Sequence, residues 1–443
     1  MHYVCDFHLH SKYSRAVSQM MTLPVMAQYA KQKGLDILTA SDFTHPLWFK
    51  EIQNQLEEAG EGIYRLKEHE PLQDIRFLLS TEISSIYKQG DKLRRIHNLV
   101  FVPSLAVAEK ISKELIRRGC NLNADGRPIV GLSSKNLLEL ILSIDKRSML
   151  IPCHIWTPHF GIYGSASGFD SLEEAFGELA PQIYGIETGL SSDPDMNWQV
   201  TELQNRSILS FSDAHSPAKM SREATVFDLE KPTYENIRQA IMRLATNSDT
   251  ENKIAYTIEF YPEEGKYHFS GHRNCKVVYN VDEVREKGTT CPVCHRRLTE
   301  GVFMRVEQLS EPKLMGRAEE KKNTHGLKWY TDKKHIQPPY VKLVPLLEIV
   351  AQSLDSTVAS QKSQNLYAKL CHELTSEIAI LLRTPIADIE HVGGKKLAEA
   401  IVKVRGGDII IDPGFDGEFG KVKIWSEEEE KAAEETPQLR LEL

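Results

Sequence analysis

The sequence has no long apolar run, since no stretch of its 443 residues approaches the roughly 18 consecutive apolar residues that a membrane-spanning helix needs. Its amino terminus lacks a basic region followed by an apolar stretch, which is the pattern of a secretory signal peptide. These absences exclude a membrane partner and predict a cytoplasmic protein. The apolar content of 41% and charged content of 26% are ordinary for a globular chain.

Cysteine is scarce, and the distribution of its seven residues does not indicate a disulfide framework. Four lie singly among apolar neighbours, namely Cys5, Cys120, Cys153 and Cys371. We expect these four to be buried, reduced thiols that pack as small hydrophobic groups. The other three cluster at Cys275, Cys291 and Cys294, and in a reducing compartment such a cluster indicates a metal site rather than a disulfide.

The sequence has no excess of basic residues, and its net charge of −8 argues against a protein that coats nucleic acid. The charge is nevertheless unevenly distributed along the chain. Residues 427–443 are mostly acidic, whereas residues 313–342 carry eight Lys or Arg against three acids. This basic stretch is consistent either with a solvated face or with a surface that follows a nucleic-acid backbone.

Short apolar or β-branched runs alternate with helical patterns over residues 1–245, and no internal repeat is found. The predicted strands are Tyr3–Phe7, Ile37–Ala40, Arg76–Thr81, Ile96–Val102, Met149–Cys153, Ile183–Glu187 and Ser207–Phe211. Helical stretches between them include Pro24–Lys33 and Ala106–Arg118, each followed by a glycine. This alternation predicts an α/β fold with a parallel barrel rather than a sandwich.

The second half of the chain divides into shorter parts. After the barrel, predicted over residues 1–250, residues 251–310 are polar and turn-rich and contain the cysteine cluster. Residues 311–425 are basic at first and mainly helical from Val344 to Arg383. We therefore predict a metal-binding module over 251–310, a basic, helical DNA-binding domain over 311–425, and a disordered acidic tail over 426–443.

Histidines and carboxylates fall in or directly after the predicted strands. They are His8, His10, Asp42, His45, Glu82, His97, His154, Glu187, Asp213 and His215. The carboxyl ends of parallel barrel strands converge on one face, so we expect these side chains to meet there. A single histidine such as His97 is more often structural, but ten such groups packed without metal would suffer desolvation and like-charge repulsion. The set therefore predicts bound divalent cations.

The same residues indicate which metals would bind and what they would do. Mixed imidazole and carboxylate ligands suit zinc or manganese, whereas an all-oxygen set would suit magnesium. Two or three ions about 3.5–4 Å apart can activate a water, hold a phosphate and neutralise a departing oxygen. We place Asp213 and His10 in the catalytic set, with Asp213 both binding metal and orienting the attacking hydroxide. His159 is a further candidate, as an acid or a phosphate contact.

Three short motifs and three isolated residues carry a family resemblance. They are His8-Leu9-His10-Ser11, Ser41-Asp42-Phe43-Thr44-His45, Ser212-Asp213-Ala214-His215, Glu82, His97 and His154. This pattern resembles the PHP (polymerase and histidinol phosphatase) superfamily over residues 1–245. The resemblance implies a distorted, seven-stranded, TIM-like α/β barrel with a trinuclear metal site that hydrolyses phosphoesters.

The resemblance also implies how the ligands divide among the metals. His8, His10, Glu82 and Asp213 would hold one metal, and Glu82 would bridge to a second metal held with His97 and His154. Asp42 or His45, together with His215, would hold the third. Phe43 stands where the superfamily usually has a histidine directly after the aspartate, so the third site stays open.

Longer motifs extend the resemblance to nearly the whole chain. They are His154–Gly161, Glu187–Pro194, the cysteine cluster and Pro413–Gly417. They are similar to those of the endonuclease Q family, which nicks DNA on the 5′ side of deaminated bases (uracil, hypoxanthine, xanthine) and of abasic sites. We therefore expect a nucleoid-associated enzyme whose partner is damaged DNA. The alternatives are a PHP phosphatase acting on small phosphomonoesters and a non-catalytic DNA-binding adaptor.

A second metal site is predicted in the cysteine-rich module. His272 and Cys275 form one ligand pair, Cys291 and Cys294 form the other, and two residues separate the members of each pair. Four nitrogen and sulfur ligands in paired turns match the tetrahedral geometry of zinc. We predict one structural zinc, which would stabilise a module too small to have its own core.

The sequence also offers candidates for DNA contact. Backbone contacts are predicted at Lys328, Trp329, Lys333 and Lys334, and at Lys395 and Lys396 at the start of a helix after two glycines. A stacked base cannot enter a pocket, so lesion recognition implies that the nucleotide is extruded. We predict that Trp156, Tyr163 and Glu187 line the base pocket; the loop that follows Trp156 could instead be a lid over the metals.

The last six residues, 438–443, resemble the peptide with which bacterial DNA enzymes bind the sliding clamp. Gln438 is followed by spaced leucines at Leu439, Leu441 and Leu443. In such peptides the glutamine amide makes hydrogen bonds at the rim of an apolar pocket, and the leucines fill it. A sliding clamp is therefore a further predicted partner.

Overall fold

A computed structural model describes residues 1–68, 70–426 and 428–429 of the chain. The predicted clamp-binding peptide at 438–443 and nearly all of the predicted acidic tail lie outside these residues. None of the helices that the structure describes combines the length and the hydropathy that a membrane span needs.

The strands are β1 (His2–Asp6), β2 (Ile37–Thr39), β3 (Leu56–Gly60), β4 (Ile63–Leu66), β5 (Arg76–Gln89), β6 (Lys92–Val102), β7 (Ile129–Val130), β8 (Met149–Pro152), β9 (Gly185–Glu187), β10 (Ser207–Leu209), β11 (Ala224–Asp228), β12 (Lys253–Glu259), β13 (Ser270–His272), β14 (Val277–Tyr279), β15 (Ala318–Lys322), β16 (Lys328–Asp332), β17 (Tyr340–Lys342), β18 (Ile410–Asp412) and β19 (Lys421–Lys423). The helices are α1 (Leu23–Lys33), α2 (Pro46–Gln55), α3 (Leu105–Arg117), α4 (Ser134–Ile144), α5 (Leu172–Phe176), α6 (Pro194–Trp198), α7 (Tyr234–Thr246), α8 (Val281–Lys287), α9 (Val302–Leu309), α10 (Leu346–Ser353), α11 (Gln361–Glu373), α12 (Glu377–Leu382), α13 (Ile386–Gly393) and α14 (Lys395–Gly406). Each of the seven predicted strands overlaps an observed one.

The fold is mixed α/β around one large sheet. Its hydrogen-bonded order is β15-β16-β17-β12-β11-β1-β2-β5-β4-β3, with β6 and β7 on β5 and with β8 on β6. Strands β1, β2 and β5 are parallel, as predicted, and β9 and β10 form a separate parallel pair. Short strands buried on both faces, such as β2 and β10, are typical of parallel sheets covered by helices.

The expectation of a wholly parallel barrel is not met. Strand β6 runs antiparallel to β5 along its whole length, from Leu79 opposite Val102 to Gln89 opposite Lys92. Only Gly90 and Asp91 join the two strands, and so short a connection makes a hairpin rather than a parallel crossover. Gly90 has a φ of 58°, which is a left-handed conformation that glycine adopts without strain.

The sheet also continues beyond residue 250, where the sequence predicted the barrel to end. Strand β12 pairs with β11 and with β17, so residues 253–259 belong to the central sheet. The basic segment builds the antiparallel strands β15 and β16 rather than helices. A small hairpin of β13 and β14, together with α8 and α9, forms the cysteine-rich module.

The helices α10 to α14 form the C-terminal helical part, which packs onto the large sheet domain through α1. Lys33 on α1 and Glu377 on α12 form a buried ion pair at 2.8 Å, and the hydroxyl of Tyr367 donates to the same carboxylate. Removal of one partner of such a buried pair leaves the other charge uncompensated. This contact therefore fixes the helical part against the sheet domain.

Candidate functional site

Seven of the predicted metal ligands meet at one end of the sheet. They are His8, His10, Glu82, His97, His154, Asp213 and His215. His8 and His10 follow β1 and point to the same side because side chains alternate along an extended chain. The backbone N–H of His10 donates to the carbonyl of Ala214 at 3.3 Å, which joins the segments that carry the first and last motifs.

The first group of ligand atoms has the spacing of a single metal site. The Nε2 of His10 lies 3.3 Å from Glu82 Oε2 and 3.1 Å from Asp213 Oδ1. The Nε2 of His8 lies 3.7 Å and 3.6 Å from the same two oxygens. Ligand atoms bound about 2.1 Å from a tetrahedral zinc lie about 3.4 Å apart. The atoms of His8, His10 and Glu82 therefore fit a common cation, and Asp213 Oδ1 lies beside both histidines.

Glu82 joins this group to a second one. Its Oε1 lies 2.5 Å from His97 Nδ1 and 3.5 Å from His154 Nε2, whereas its Oε2 faces the first group. One carboxylate thus has an oxygen in each group, which is the arrangement of a bridging ligand. A third candidate group consists of His10, Asp213 and His215, with His215 Nδ1 at 3.6 Å from Asp213 Oδ1.

One buried atom in these groups, His8 Nε2, lacks a hydrogen-bond partner among the described residues. A buried polar atom without a partner costs on the order of 1–3 kcal/mol, and a cation would satisfy it. This atom and the convergent donor set therefore fit divalent metals.

The electrostatics of the groups favour the same conclusion. Burial opposes the charge of Glu82, but His97 and Arg127 hold the pKa of this carboxyl well below its usual range. Burial lowers the pKa of His97 to about 4, although Glu82 opposes this shift. His8 and His10 have pKa values well above the usual range because nearby carboxylates outweigh their burial. A bound metal would displace their protons.

Glu187 orients two of the ligands from behind. Its Oε1 lies 2.8 Å from the Nδ1 of His8, and its Oε2 accepts from the backbone N–H of His154 at 2.7 Å. Glu187 is fully buried, so the structure places it behind the metal groups and not in the predicted base pocket. Carboxylates in this position fix the tautomer and orientation of a metal-binding histidine.

Asp42 has a similar position behind His10, where its Oδ1 lies 3.3 Å from Nδ1. Its Oδ2 accepts from the backbone N–H of Ser11 and from the hydroxyl of Ser14. Because both oxygens are engaged, Asp42 orients His10 instead of joining the ligands. The candidate groups do not include it.

His45 does not reach the ligands either. Its ring caps α2, where Nδ1 faces the backbone N–H of Trp48 at 3.5 Å, and it stacks on Tyr13 with ring centroids 4.4 Å apart. Neither Asp42 nor His45 therefore lies where it could be a ligand of the third predicted metal site. Phe43, the residue that departs from the superfamily pattern, is fully buried in the core.

Three residues of the site have left-handed backbone conformations that are uncommon for residues other than glycine. The φ angles are 49° for Asp42, 28° for His154 and 48° for Asp213. Each of these residues lies two to four residues after the end of a strand, in the segment that approaches the cluster. Backbone strain of this kind persists where the surroundings enforce it, and it is concentrated at functional sites.

A cavity of about 520 Å³ opens above the metal groups. Its lining includes His154, Trp156, Gly189, Leu190, Ser191, Asp213, His215, Lys219, Arg222, Lys266, Tyr267 and Phe419. The volume is within the range of sites that hold small ligands. Trp156 is on the cavity wall, and its indole N–H donates to Asn197 at 2.8 Å.

Two other predicted residues do not line this cavity. Tyr163 is fully buried behind Trp156, with ring centroids 5.0 Å apart, and its hydroxyl donates to Glu202. This placement does not agree with contact to an extruded base. His159 is exposed and lies outside the cavity lining, so the structure does not bring it to the metal groups.

Sequence reasoning missed several cationic side chains beside the ligand groups. Lys219, Arg222 and Lys266 line the cavity, and Arg127 pairs with Glu82 Oε2 at 3.2 Å. A signal was available for two of them, because Lys219 and Arg222 lie within seven residues after the last metal motif. Such side chains match the charge of a phosphate backbone.

The cysteine-rich module brings its four predicted ligands together. The ligand atoms of His272, Cys275, Cys291 and Cys294 all lie within 4.8 Å of one another, and Cys294 Sγ is 3.3 Å from His272 Nδ1. Burial opposes ionisation of Cys291, but the backbone N–H groups of Cys294 and Val293 lower its pKa to about 6. A thiolate is the form that binds zinc, so the donor set fits this metal.

The predicted backbone contacts lie further from the cavity. Lys328, Trp329, Lys333 and Lys334 are on β16 or the turn after it, and β16 is four strands from β1, or roughly 19 Å at 4.8 Å per strand. Lys328 pairs with Glu320, and Trp329 packs edge-on against Tyr256.

Lys395 and Lys396 begin α14, directly after Gly394, which has a φ of 86°. Lys396 pairs with Asp355 and lies above the ring of Trp425. Exposed ion pairs of this kind are weak, so Lys396 can exchange Asp355 for a phosphate.

Comparisons with known proteins give matches over most of the chain. The family described as the MJ0043 C-terminal domain matches residues 345–408. The uncharacterized protein MJ0043 of Methanocaldococcus jannaschii is 29% identical over 276 residues, which are 61% of this chain and 31% of that protein. The chain thus matches about a third of that relative's length. The uncharacterized protein YqxK of Bacillus subtilis is 28% identical over 438 residues, which are 94% of this chain and 98% of that protein.

Two solved structures are similar along nearly the whole chain. The crystal structure of the lesion-specific endonuclease PfuEndoQ from Pyrococcus furiosus has a TM-score of 0.79 and 29% identity, and covers 96% of each chain. The crystal structure of endonuclease Q in complex with a 27-mer duplex substrate, with an abasic lesion at the active site, has a TM-score of 0.81 and 30% identity. That match covers 96% of this chain and 98% of the other.

Proposed function

This chain belongs to the endonuclease Q family, and we propose that it is a DNA repair endonuclease that hydrolyses the phosphodiester bond 5′ of deaminated bases or abasic sites. One relative is described as a lesion-specific endonuclease, and another holds a duplex with an abasic lesion at its active site. The observation that carries the proposal is the seven-ligand cluster at the floor of a cavity lined by cations. Uracil, hypoxanthine and xanthine are the proposed deaminated bases.

The residues have distinct roles in this proposal. His8, His10, Glu82 and Asp213 would hold one divalent cation, and Glu82 with His97 and His154 would hold another. Bound cations of this kind supply an activated water and neutralise charge on the phosphate. The imidazole and carboxylate donors suit zinc or manganese better than magnesium.

Asp213 would orient the attacking water as well as bind metal. Its Oδ1 faces His8 and His10, while 29% of its side chain remains exposed toward the cavity. His215 lies beside it at the cavity rim and is 35% exposed. Water held at Asp213 would therefore meet a phosphate that approaches from the cavity.

The cations around the cavity would bind the DNA backbone. Arg222 donates to the carbonyls of Ser212 and Asp213, which fixes its guanidinium beside the metal groups. Lys219 and Lys266 extend the positive charge along the cavity wall. Phosphate contacts of this kind set the register of the duplex without selecting a sequence.

Two alternative functions have specific observations against them. A small phosphomonoester would not require the zinc module and helical part, which are included in the match to the DNA-bound relative over 96% of the chain. A non-catalytic adaptor would not need seven convergent ligands, because a site without catalytic selection loses them. The metal set therefore favours the endonuclease.

A substrate panel tests the proposal. Purified protein loaded with zinc or manganese is incubated with end-labelled duplex containing one uracil, with the undamaged duplex, and with p-nitrophenyl phosphate. We expect a nick in the uracil strand alone. Hydrolysis of p-nitrophenyl phosphate without nicking would favour the phosphatase, and binding of the uracil duplex without any hydrolysis would favour the adaptor.

A further inference from the structure

Phe419 is an exposed aromatic residue at the opening of the cavity. Its side chain is 48% exposed, and Phe303 is the other phenylalanine that ranks among the exposed large hydrophobic residues of the described chain. Phe419 lines the cavity, and the ammonium group of Lys266 lies 4.6 Å from its ring centroid. Phe419 is therefore available to contact a molecule that occupies the cavity.

The loop that carries Phe419 is firmly attached to the cavity wall. The backbone N–H groups of Gly414, Gly417 and Gly420 donate to the carbonyls of the turn formed by residues 263–266, at 2.8–3.0 Å. A Cβ on Gly414 would lie 2.2 Å from the carbonyl of Gly265, so the backbones approach as closely as glycine allows. These contacts therefore fix the position of the backbone that carries Phe419.

The cysteine-rich module contacts the same loop from the other side. Asp416 accepts hydrogen bonds from the backbone N–H of Arg273 and from the hydroxyl of Thr299 at 2.8 Å and 2.5 Å. The ring of Phe415 lies where a Cβ on Gly271 would be, at 2.6 Å. Arg273 and Gly271 flank the predicted zinc ligand His272. The fold of the module thus determines where the loop lies.

We propose that Phe419 is a wedge that enters the base stack of duplex DNA at the gap left by the nucleotide held in the cavity. The proposal rests on the proposed function, since it requires an extruded nucleotide. Extrusion leaves an unstacked step, and apolar side chains that fill such a gap make extrusion less unfavourable. Lys266, above the ring, would meet the adjacent phosphate. The zinc module would then act in lesion binding by holding the loop of Phe419.

A comparison of two substrates separates this role from stacking inside the cavity. One duplex has a paired uracil, and the other has the same uracil in a bubble of non-complementary bases, where it is already unpaired. A wedge assists opening of the paired duplex only. We expect Phe419→Ala to slow single-turnover nicking of the paired duplex about tenfold and of the bubble by less than about twofold.

A second readout follows extrusion without cleavage. A 2-aminopurine next to the uracil becomes more fluorescent when its neighbour leaves the stack. At equal occupancy, Phe419→Ala should give a smaller increase than the wild type on the paired duplex. Phe419→Trp, which keeps a stacking ring, should restore both signals, and Asp416→Ala should give a partial loss because it releases the loop. Ile410→Ala is the matched control, since Ile410 is 44% exposed on nearby β18 and outside the cavity lining.

The outcomes are distinct. Wild-type rates for Phe419→Ala on the paired duplex would overturn the proposal, and so would equal losses on both substrates, which would place the ring against the extruded base instead. If the wild type nicks neither substrate, the proposed function fails. The fluorescence comparison still decides whether Phe419 assists extrusion in that case.

Discussion

The Nδ1 of His8 lies 2.8 Å from the Oε1 of Glu187, and this contact leaves the Nε2 of His8 facing Glu82 and Asp213. The second oxygen of Glu187 accepts from the backbone N–H of His154. One buried carboxylate therefore orients ligands that follow two different strands, β1 and β8. The two metal groups depend on each other through this residue as well as through Glu82.

Glu187→Gln should weaken metal binding. An amide has one oxygen, so it cannot accept from His8 and His154 together, and loss of such a partner typically lowers metal affinity about 10–100-fold. Metal titrations of the metal-stripped variant should show this decrease, and excess metal should restore nicking. Glu202→Gln is the control, since Glu202 accepts from Tyr163 and Leu172, away from the cluster. Unchanged metal affinity in Glu187→Gln would show that Glu187 does not orient the metal ligands.

Asp213→Ala and His8→Ala should abolish cleavage while duplex binding largely survives. Both residues face the shared metal position, whereas affinity for DNA comes mainly from phosphate contacts elsewhere. Nicking and gel-shift affinity are measured side by side. His159→Ala should retain activity within a few-fold, because His159 lies outside the cavity lining. Cleavage near the wild-type rate in either metal-site variant would refute the site.

Purified protein should contain one structural zinc, and Cys291→Ser should lose it. Removal of one ligand from a closed tetrahedral site leaves the small module without its main source of folding energy. Elemental analysis and thermal unfolding test this expectation. Cys120→Ser is the control, since Cys120 is half-buried and outside the ligand groups. Equal zinc content in the two variants would mean that the cysteines are not ligands.

Glu259→Gln should stabilise the protein at alkaline pH only. Burial raises the pKa of Glu259 from 4.5 to about 7, despite hydrogen bonds from Ser210 and Thr257. The folded state therefore keeps a proton that the unfolded chain releases, and stability falls as the pH rises from about 4.5 to about 7. Above that range the buried charge lowers the free energy of unfolding by about 3 kcal/mol. A neutral amide at this position would not have this effect.

Urea unfolding near pH 5 and near pH 8 measures this difference. The free energy of unfolding of Glu259→Gln should exceed that of the wild type by up to about 3 kcal/mol near pH 8 and by much less near pH 5. Glu373→Gln, at an exposed position on α11, is the control and should show no such dependence. A gain that is equal at both pH values would contradict a charged, buried Glu259.

The strands and the ligand set could be predicted because each depends on local sequence. Apolar runs of four to seven residues locate the strands, and ligands such as Glu82 and Asp213 lie at or near the ends of these runs. The direction of β6 could also be inferred, since only Gly90 and Asp91 join it to β5. The sequence could not predict that β12 and β15–β17 belong to the central sheet, because the pairing of strands that are distant along the chain has no local signal.

The sequence also could not show which polar residues bind metal and which only orient the ligands. Asp42, Glu187 and Asp213 are all carboxylates at or after strand ends, yet only the fold determines that Ser11 and Ser14 engage Asp42. Similarly, Trp156 and Tyr163 belong to one aromatic loop, and packing decides that Trp156 meets the cavity while Tyr163 lies behind it. Phe419 could not be found from the sequence, because it reaches the cavity from the far end of the chain.

The position of the nick tests the central claim most directly. A duplex with one uracil, labelled at the 5′ end of the uracil strand, is treated with metal-loaded protein and resolved at single-nucleotide resolution. We expect one product, cut at the phosphodiester on the 5′ side of the uracil, and no product from Asp213→Ala or from the undamaged duplex. Cleavage at other positions, equal cleavage of undamaged DNA, or an active Asp213→Ala variant would contradict the account.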